Sequence, residues 1–381
     1  MSTMTREELD EMLKANPHLK QVETPETGSF REGFKKKFAA TKKEFKRLSQ
    51  APNDPKTPFK TKYEARKLFE DLLGELLIGR VGVVQESQAA AAAPAEGETK
   101  TADERGFLEE LGGMQAEMEL CLAENYYDTE EISRGYDYLF RSLEWYCPKS
   151  AQKLFDPTHT FLDAEMVRIR KHAVNVLHNL NLIGAIKSGR GEPDEALVVL
   201  RKADDLYQDI VSTGAVDTQA GASAAASKSP EKSQHRAIAE KNVFTLFFLA
   251  QVYGAKGDAK GSARYCKSTL ERQYLENISF SWREWFTNAV GIVDFCMTTG
   301  GSLLEVAHAW LWVAWQIQLS GLAAEADENE SDPDEERLTA NKKLVAEWHR
   351  RAALVKLNAF RIKRSEKIGY DPGNHAAFRL P

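Results

Sequence analysis

Apolar residues recur at intervals of three and four along most of this 381-residue chain, and no other feature constrains the fold as strongly. Between residues 193 and 210, for example, Ala196, Leu200 and Ala203 fall on one helical face. Pro193 stands at the start of this pattern, where a missing N–H costs nothing. Alternating β-branched runs are scarce and Asn-Gly hairpin turns are absent from the sequence. The spacing therefore predicts an all-α protein.

Small residues recur at equivalent places in this helical pattern. Residues 162–187 predict one long helix, which the Ser-Gly-Arg-Gly run at 188–191 ends, so that an antiparallel hairpin with the next helix follows. Tetratricopeptide-type hairpins need a small residue where their two helices cross. Four segments in chain order follow the pattern, the fourth more weakly, with crossing residues Ala123, Gly184, Ala250 and Phe295.

The crossing residues are 61, 66 and 45 positions apart, which exceeds the tetratricopeptide period of about 34 residues. We therefore predict a tetratricopeptide-like α-solenoid of long antiparallel helical hairpins with disordered loop insertions. An irregular helical bundle is the alternative.

Composition divides the chain further. Three segments rich in Ala, Gly, Ser or acidic residues lack an apolar stripe, so they cannot bury enough apolar area to offset their ordering entropy. The predicted organisation is a partly disordered tail at 1–40, the helical solenoid at 41–321 with loops at 84–104 and 211–235, an acidic linker at 322–337, a terminal helix at 338–367 and a tail at 368–381.

Charge and composition restrict the class of protein. With 42% apolar residues, 28% charged residues and a net charge of −6, the chain is expected to be soluble and globular. No apolar run reaches the roughly 18 residues of a membrane span, and the acidity disfavours nucleic acid and favours a basic protein partner. The first residues lack an apolar signal core, and the four widely spaced cysteines are expected to be reduced thiols. These features predict a cytoplasmic protein.

Signatures of catalysis are missing from the sequence. There is no phosphate-binding GxxxxGK[ST], no GxGxxG and no GxSxG string. The eight histidines are scattered, and the acids at 323–336 lack the order of a calcium loop. We therefore expect no catalytic residue, metal, cofactor or small-molecule substrate.

The first helix of each hairpin lines the concave face of a solenoid, and partners usually bind there. Relative to the small residue Ala250, the positions facing this groove include Phe244, Phe247, Phe248 and Gln251, and the matching polar residue of the preceding hairpin is Asn181. Rings beside an amide offer apolar area and hydrogen bonds, so all five are candidate partner-binding residues. Packing between hairpins is the alternative.

Five long strings of the sequence stand out: PFKTKYEARKLFEDLLG at 58–74, DTEEISRGYDYL at 128–139, LFFLAQVY at 246–253, SARYCKSTLERQ at 262–273 and REWFTNA at 283–289. They resemble strings of the kinesin-binding protein (KIF-binding protein) family. They keep their order over about residues 44–365 and are long enough to make chance a poor explanation.

This resemblance implies a two-lobed helical solenoid that clamps a kinesin motor domain and stops it from binding microtubules, without catalysis or cofactor. The groove residues implied by the family strings are Phe248, Gln251 and Gln273, together with the segment around Asn288 and Gly291. The expected location is accordingly cytoplasmic and cytoskeleton-associated.

The chain departs from the family in two respects. It ends soon after residue 368, where family members continue through a second lobe, so it resembles a short form with a half-open clamp. The resemblance implies a tyrosine at position 248, whose hydroxyl would add a contact to the partner, but this chain has Phe248. A general tetratricopeptide-like scaffold, such as a chaperone adaptor, is the alternative function. Such adaptors usually bind acidic tails through Lys, Arg and Asn on successive first helices, and residues 244–254 contain no Lys or Arg.

Overall fold

The computed structural model describes residues 27–91, 97–213, 230–276, 278, 281–299, 303–328 and 335–366. Within these ranges every regular element is an α-helix, which confirms the predicted all-α fold. The helices are α1 (Thr27–Ser49), α2 (Lys60–Ala91), α3 (Gly97–Asp128), α4 (Ile132–Tyr146), α5 (Pro148–Ala151), α6 (Asp163–Lys171), α7 (Ala173–Gly189), α8 (Pro193–Ser212), α9 (Pro230–Ala255), α10 (Ala259–Leu275), α11 (Trp282–Thr299), α12 (Leu303–Glu328) and α13 (Glu335–Glu366).

The chain divides into an N-terminal unit, Met1–Leu206, and a C-terminal unit, Tyr207–Pro381. In the N-terminal unit α1, α2 and α3 bury aromatic and aliphatic side chains against one another, and the rings of Phe45 and Phe69 stack with their centroids 4.2 Å apart. The buried core of these helices comprises Phe34, Phe38, Phe45, Leu48, Ala65, Phe69, Leu72, Leu73, Leu76, Phe107, Leu111, Met118, Leu122 and Tyr126.

The core of the C-terminal unit lies between α11, α12 and α13. The buried rings of Trp285 and Trp310 lie 5.7 Å apart, and Trp285 Nε1 donates a hydrogen bond to the Leu270 carbonyl at 3.2 Å. Helix α13 joins this core through Val355 and through Trp348, whose Nε1 donates to the Leu311 carbonyl at 2.8 Å. One side of α13 is thereby fixed against the core.

Helices that follow one another across a short turn pack as pairs, as the hairpin pattern predicts. Gly184 of α7 lies so close to α8 that a Cβ added there would stand 2.5 Å from Leu200 Cγ. In the α9–α10 pair, Tyr253 and Tyr265 stack with centroids 5.2 Å apart. The pairs α3–α4 and α11–α12 also pack along their length.

The loop expected at 84–104 is helical wherever the structure describes it. Helix α2 continues through Ala91 and α3 begins at Gly97, so residues 84–91 and 97–104 correct the prediction. Alanine has the highest helix propensity, and extending a helix that already exists requires no new nucleus. A docking stripe is therefore not needed for this extension.

The tail expected at 1–40 also contains a helix, because α1 begins at Thr27. Phe30, Phe34 and Phe38 are spaced by four residues and pack into the core of the N-terminal unit. The four-residue spacing of these phenylalanines is itself a helical signal.

Other boundaries shift by smaller amounts. The helix expected over 162–187 breaks at His172, where the backbone leaves helical geometry (φ −117°, ψ 29°) with no proline or glycine to announce it. Helix α9 already begins at Pro230, α12 continues to Glu328, and α13 spans Glu335–Glu366. Three predicted segments lie largely outside the described residues, namely the rest of the loop 211–235, the rest of the linker 322–337 and the tail 368–381.

Candidate partner-binding surface

Helix α9 exposes an aromatic and amide stripe. Phe244 and Phe247 are 51% and 43% exposed, Phe248 is half-buried, and Gln251 is exposed. These four positions are spaced i, i+3, i+4 and i+7, so they share one helical face. We call them the α9 stripe.

Apolar packing on the other side of α9 fixes the orientation of the stripe. The opposite side of α9 buries Leu246, Leu249, Ala250 and Val252, which prevents the helix from turning its rings inward. The buried residues and the stripe residues each recur at helical spacing. The sequence of α9 therefore determines both which side of the helix is buried and which side is exposed.

Neighbouring rings of the stripe support one another. The rings of Phe247 and Phe248 lie 5.6 Å apart with planes tilted by 59°, and the Lys241 ammonium lies 6.0 Å from the Phe244 ring centre. Exposed, mutually packed rings next to an amide have the composition of a protein-binding hot spot.

Three further predicted residues lie on the next two helices. Asn288 and Gly291 are exposed on α11, one turn apart, and a Cβ added at Gly291 would meet no atom within 4 Å. We call these two residues the α11 patch. Gln273 lies half-buried near the end of α10, and its carbonyl accepts a hydrogen bond from the Ile278 N–H at 3.1 Å.

The groove exposure predicted for Asn181 is wrong, because this residue is 1% exposed. Helix α7 buries ten of its residues, which cover all of its sides. A helix that is apolar all round is a buried helix, and the α7 sequence already had that character. Asn181 therefore does not belong to the exposed surface.

The tryptophans of α11 and α12 differ in their exposure. Trp285 and Trp310 are buried, and Trp315 stacks on Trp348 with centroids 4.4 Å apart. Trp312 differs, since it is 57% exposed on α12. It offers an exposed ring on a different helix from the α9 stripe.

Two of the five family-like strings meet around Arg66, which is not among the predicted site residues. The buried Arg66 guanidinium donates to Asn125 Oδ1 at 3.1 Å, to Thr129 Oγ1 at 2.5 Å and to Glu131 Oε1 at 2.7 Å. It also lies 3.7 Å from the centre of the Tyr126 ring. Hydrogen bonds from Arg66 therefore connect string 58–74 to string 128–139, and both strings have a structural role in the N-terminal unit.

A buried polar chain crosses the same three-helix region. Arg80 of α2 donates to Gln115 Oε1 on α3, and Gln115 Nε2 donates to Glu119 Oε1 at 2.9 Å. Burial raises the pKa of the Glu119 carboxyl to about 7, against the opposing effects of the Gln115 hydrogen bond and of Arg141 and Arg80. This carboxyl therefore titrates in the neutral range inside the fold.

The N-terminal unit also contains an open cleft of about 960 Å³ between α3 and α6. Acidic residues that line the cleft form ion pairs with the protein's own cations. Glu109 pairs with Arg168 at 2.9 Å, and Glu110 pairs with Lys35 at 2.6 Å. Glu117 pairs with Lys42. The acids of this cleft are therefore already engaged.

Other chemistry expected from the sequence can be compared with the described residues. The four cysteines are free thiols, of which Cys147 and Cys296 are buried and Cys121 and Cys266 half-buried. Across the ranges that the structure describes, no three His, Cys, Asp or Glu side chains cluster as metal ligands would. In those ranges, too, no helix combines the length and apolarity needed to cross a membrane.

Comparison with known proteins gives one consistent name. The chain is 26% identical over 317 residues to the KIF-binding protein of Danio rerio, with 78% of this chain and 47% of the relative covered. It is 24% identical over 324 residues to that of Gallus gallus, covering 84% and 48%, and 28% identical over 257 residues to that of Mus musculus, covering 65% and 38%.

No family model and no solved structure matches the chain. The chain spans about half the length, or less, of the curated relatives it matches. Since these relatives carry the same name, the resemblance to the KIF-binding proteins that five sequence strings predicted is confirmed.

Proposed function

We propose that this chain binds a kinesin motor domain through the α9 stripe and the α11 patch, and that binding blocks attachment of the motor to microtubules. The single observation that carries the proposal is the α9 stripe, an exposed run of aromatic rings and one amide in a helix whose other side is buried. The similarity to proteins named KIF-binding protein supplies the partner.

Charge supports this choice of partner. Microtubules are acidic, so the face of a motor that binds them must be basic. A chain of net charge −6 is attracted to such a face, and residues 244–254 contain no Lys or Arg, although Lys241 lies beside Phe244 at the edge of the stripe. We infer that the chain competes with the microtubule for the same surface of the motor.

The proposed role is a binding role without turnover. The relatives are named for binding rather than for a reaction, and the α9 stripe offers rings and an amide instead of a paired acid and base. Such a protein would act in the cytoplasm alongside the cytoskeleton.

Half of a two-lobed clamp can still bind tightly. A few central residues usually provide most of the binding energy, so affinity does not fall in proportion to buried area. We therefore expect the α9 stripe to keep measurable affinity for a motor domain in this chain, which spans about half of its relatives.

Titration of the full chain against purified kinesin motor domains tests the proposal. The double variant Phe248→Ala with Gln251→Ala should lose at least about tenfold in affinity, because it removes a ring and an amide from the centre of the stripe. Helix content should stay unchanged, since both substitutions keep helix-favouring residues.

Trp312→Ala is the matched control, because it also removes an exposed ring but from another helix. It should bind motors as the parent chain does. Equal affinity of the double variant and the parent would refute the assignment of the stripe, and a general scaffold function would then be favoured.

A further inference from the structure

The C-terminal helix α13 carries a basic face in an otherwise acidic chain. Residues 337–364 contain nine of the 51 Lys and Arg residues but only one of the 57 acids, Glu347. Lys342, Lys343 and Lys356 are exposed. Because Val355 and Trp348 fix the other side of α13 to the core, these lysines face solvent.

These three lysines have no ion-pair partner among the residues that the structure describes. No acidic side chain within the described ranges lies within ion-pair distance of Lys342, Lys343 or Lys356. Glu347, the one acid between residues 337 and 364, pairs with Arg350 at 3.1 Å and also with Arg351. Arg351 additionally binds Asp294 at 2.6 Å. The acids near the helix are thus used by its arginines.

Helix α1 provides an instructive contrast, because it is also rich in lysine. There Lys35, Lys37 and Lys42 each reach an acid on a neighbouring helix, namely Glu110, Glu75 and Glu117. These three lysines of α1 therefore help to hold its hairpin in place. Lys342, Lys343 and Lys356 of α13 make no such contact among the described residues, so ion pairing within the described fold does not account for them.

We propose that the exposed side of α13, which carries Lys342, Lys343 and Lys356, docks an acidic and flexible polypeptide segment of a partner protein. Lys342 and Lys356 lie 14 residues apart, about 21 Å along the helix, which six or seven extended residues would span. At about 0.1 M salt the screening length is about 10 Å, so the fields of successive cations on this face add.

Other anionic partners fit the face less well. Leu357 is the one large apolar side chain exposed on the described part of α13, which is little area for insertion into a lipid surface. That stretch of the helix also exposes no Phe, Tyr or Trp on which nucleic acid bases could stack. Charge alone, spread along one helix, is what an acidic peptide needs.

Fluorescence anisotropy of the full chain with a labelled peptide of about ten glutamates tests this proposal. We expect binding at about 0.1 M salt that is abolished at about 1 M, where the screening length falls to about 3 Å. The triple variant Lys342→Glu, Lys343→Glu and Lys356→Glu should lose affinity about tenfold or more. All three changes are on exposed side chains, so circular dichroism should be unchanged.

The matched control reverses three exposed lysines of α1 that also lack an ion pair among the described residues, Lys36, Lys43 and Lys46. It changes the net charge equally and should keep most of the affinity. If both triple variants lost the same peptide affinity, net charge alone would explain the binding and the proposal would be overturned. Absence of peptide binding, or binding of anionic vesicles in its place, would overturn it too. Motor binding by the α9 stripe is measured separately and does not depend on this outcome.

Discussion

At the scale of the residue, Arg66 has the clearest structural role in the N-terminal unit. Its guanidinium is buried and donates to Asn125 at the end of α3 and to Thr129 and Glu131 in the turn that follows. Replacing Arg66 with alanine leaves the buried Asn125 and the partly exposed Glu131 without this partner, so we expect a loss of about 1–3 kcal/mol in the free energy of unfolding, measured in urea.

Arg134→Ala is the control for this change. Arg134 approaches the same Glu131 carboxylate at 4.0 Å, but its side chain is 74% exposed. Exposed pairs contribute little, so its replacement should cost less than about 1 kcal/mol. Equal effects of the two variants would show that the buried network does not stabilise the unit.

The carboxyl of Glu119 predicts a pH dependence. Its pKa is raised from 4.5 to about 7 in the fold, chiefly by burial, so the folded state binds its proton more tightly than the unfolded chain. Stability should therefore fall as pH rises from about 4.5 to about 7, by up to about 3 kcal/mol from this group, and level off above.

Glu119→Gln should remove this dependence, because the amide keeps its shape without a titrating proton. At pH 8 the variant should be more stable than the parent chain by about 1–3 kcal/mol, and near pH 4.5 the two should agree. Glu64→Gln on the exposed side of α2 is the control and should leave the unfolding curves unchanged at both pH values. A parent-like pH profile in Glu119→Gln would contradict the assignment.

At the scale of the element, small residues at helix crossings decide how closely the hairpins pack. A methyl group at Gly184 would stand 2.5 Å from Leu200 Cγ, so Gly184→Ala should destabilise the chain by about 1–3 kcal/mol. Gly106→Ala is the control, because its methyl meets no atom within 4 Å and should stabilise the chain by about 0.5–1 kcal/mol. A neutral Gly184→Ala in thermal unfolding would contradict close packing at this crossing.

The same elements show what a sequence can predict. The α7–α8 and α9–α10 pairs follow from small and large residues at fixed spacing, which is local information. The boundaries at Ala91 and Thr27 did not follow, because an alanine run extends an existing helix without an apolar stripe and because the α1 phenylalanines pack against residues distant in the sequence. The break at His172 has no local signature, since neither proline nor glycine stands there.

At the scale of the whole molecule, the candidate surface was only partly predictable. Helical spacing predicted the exposed face of α9, because Phe244 and Gln251 lie opposite its apolar side. The same rule failed for Asn181, since a repeat position does not say which helices cover it. The roles of Gln273, Asn288 and Gly291 as contact residues stay predictions, as does the tetratricopeptide-like character of the hairpins.

Charge is unevenly distributed over the whole chain, and this affects partner choice. The chain is acidic overall, yet residues 337–364 are strongly basic. A basic motor surface and an acidic peptide would therefore be attracted to different parts of the molecule. Added salt should weaken both interactions, but reversing lysines on α13 should weaken the peptide interaction alone.

Microtubule co-sedimentation of a panel of kinesin motor domains, with and without this chain, tests the central claim most directly. The proposed function predicts that at least one motor leaves the microtubule pellet when the chain is added and co-elutes with it in gel filtration. The Phe248→Ala and Gln251→Ala double variant should leave that motor in the pellet. If every motor stays on microtubules and none co-elutes with the chain, the proposed motor-blocking function is wrong.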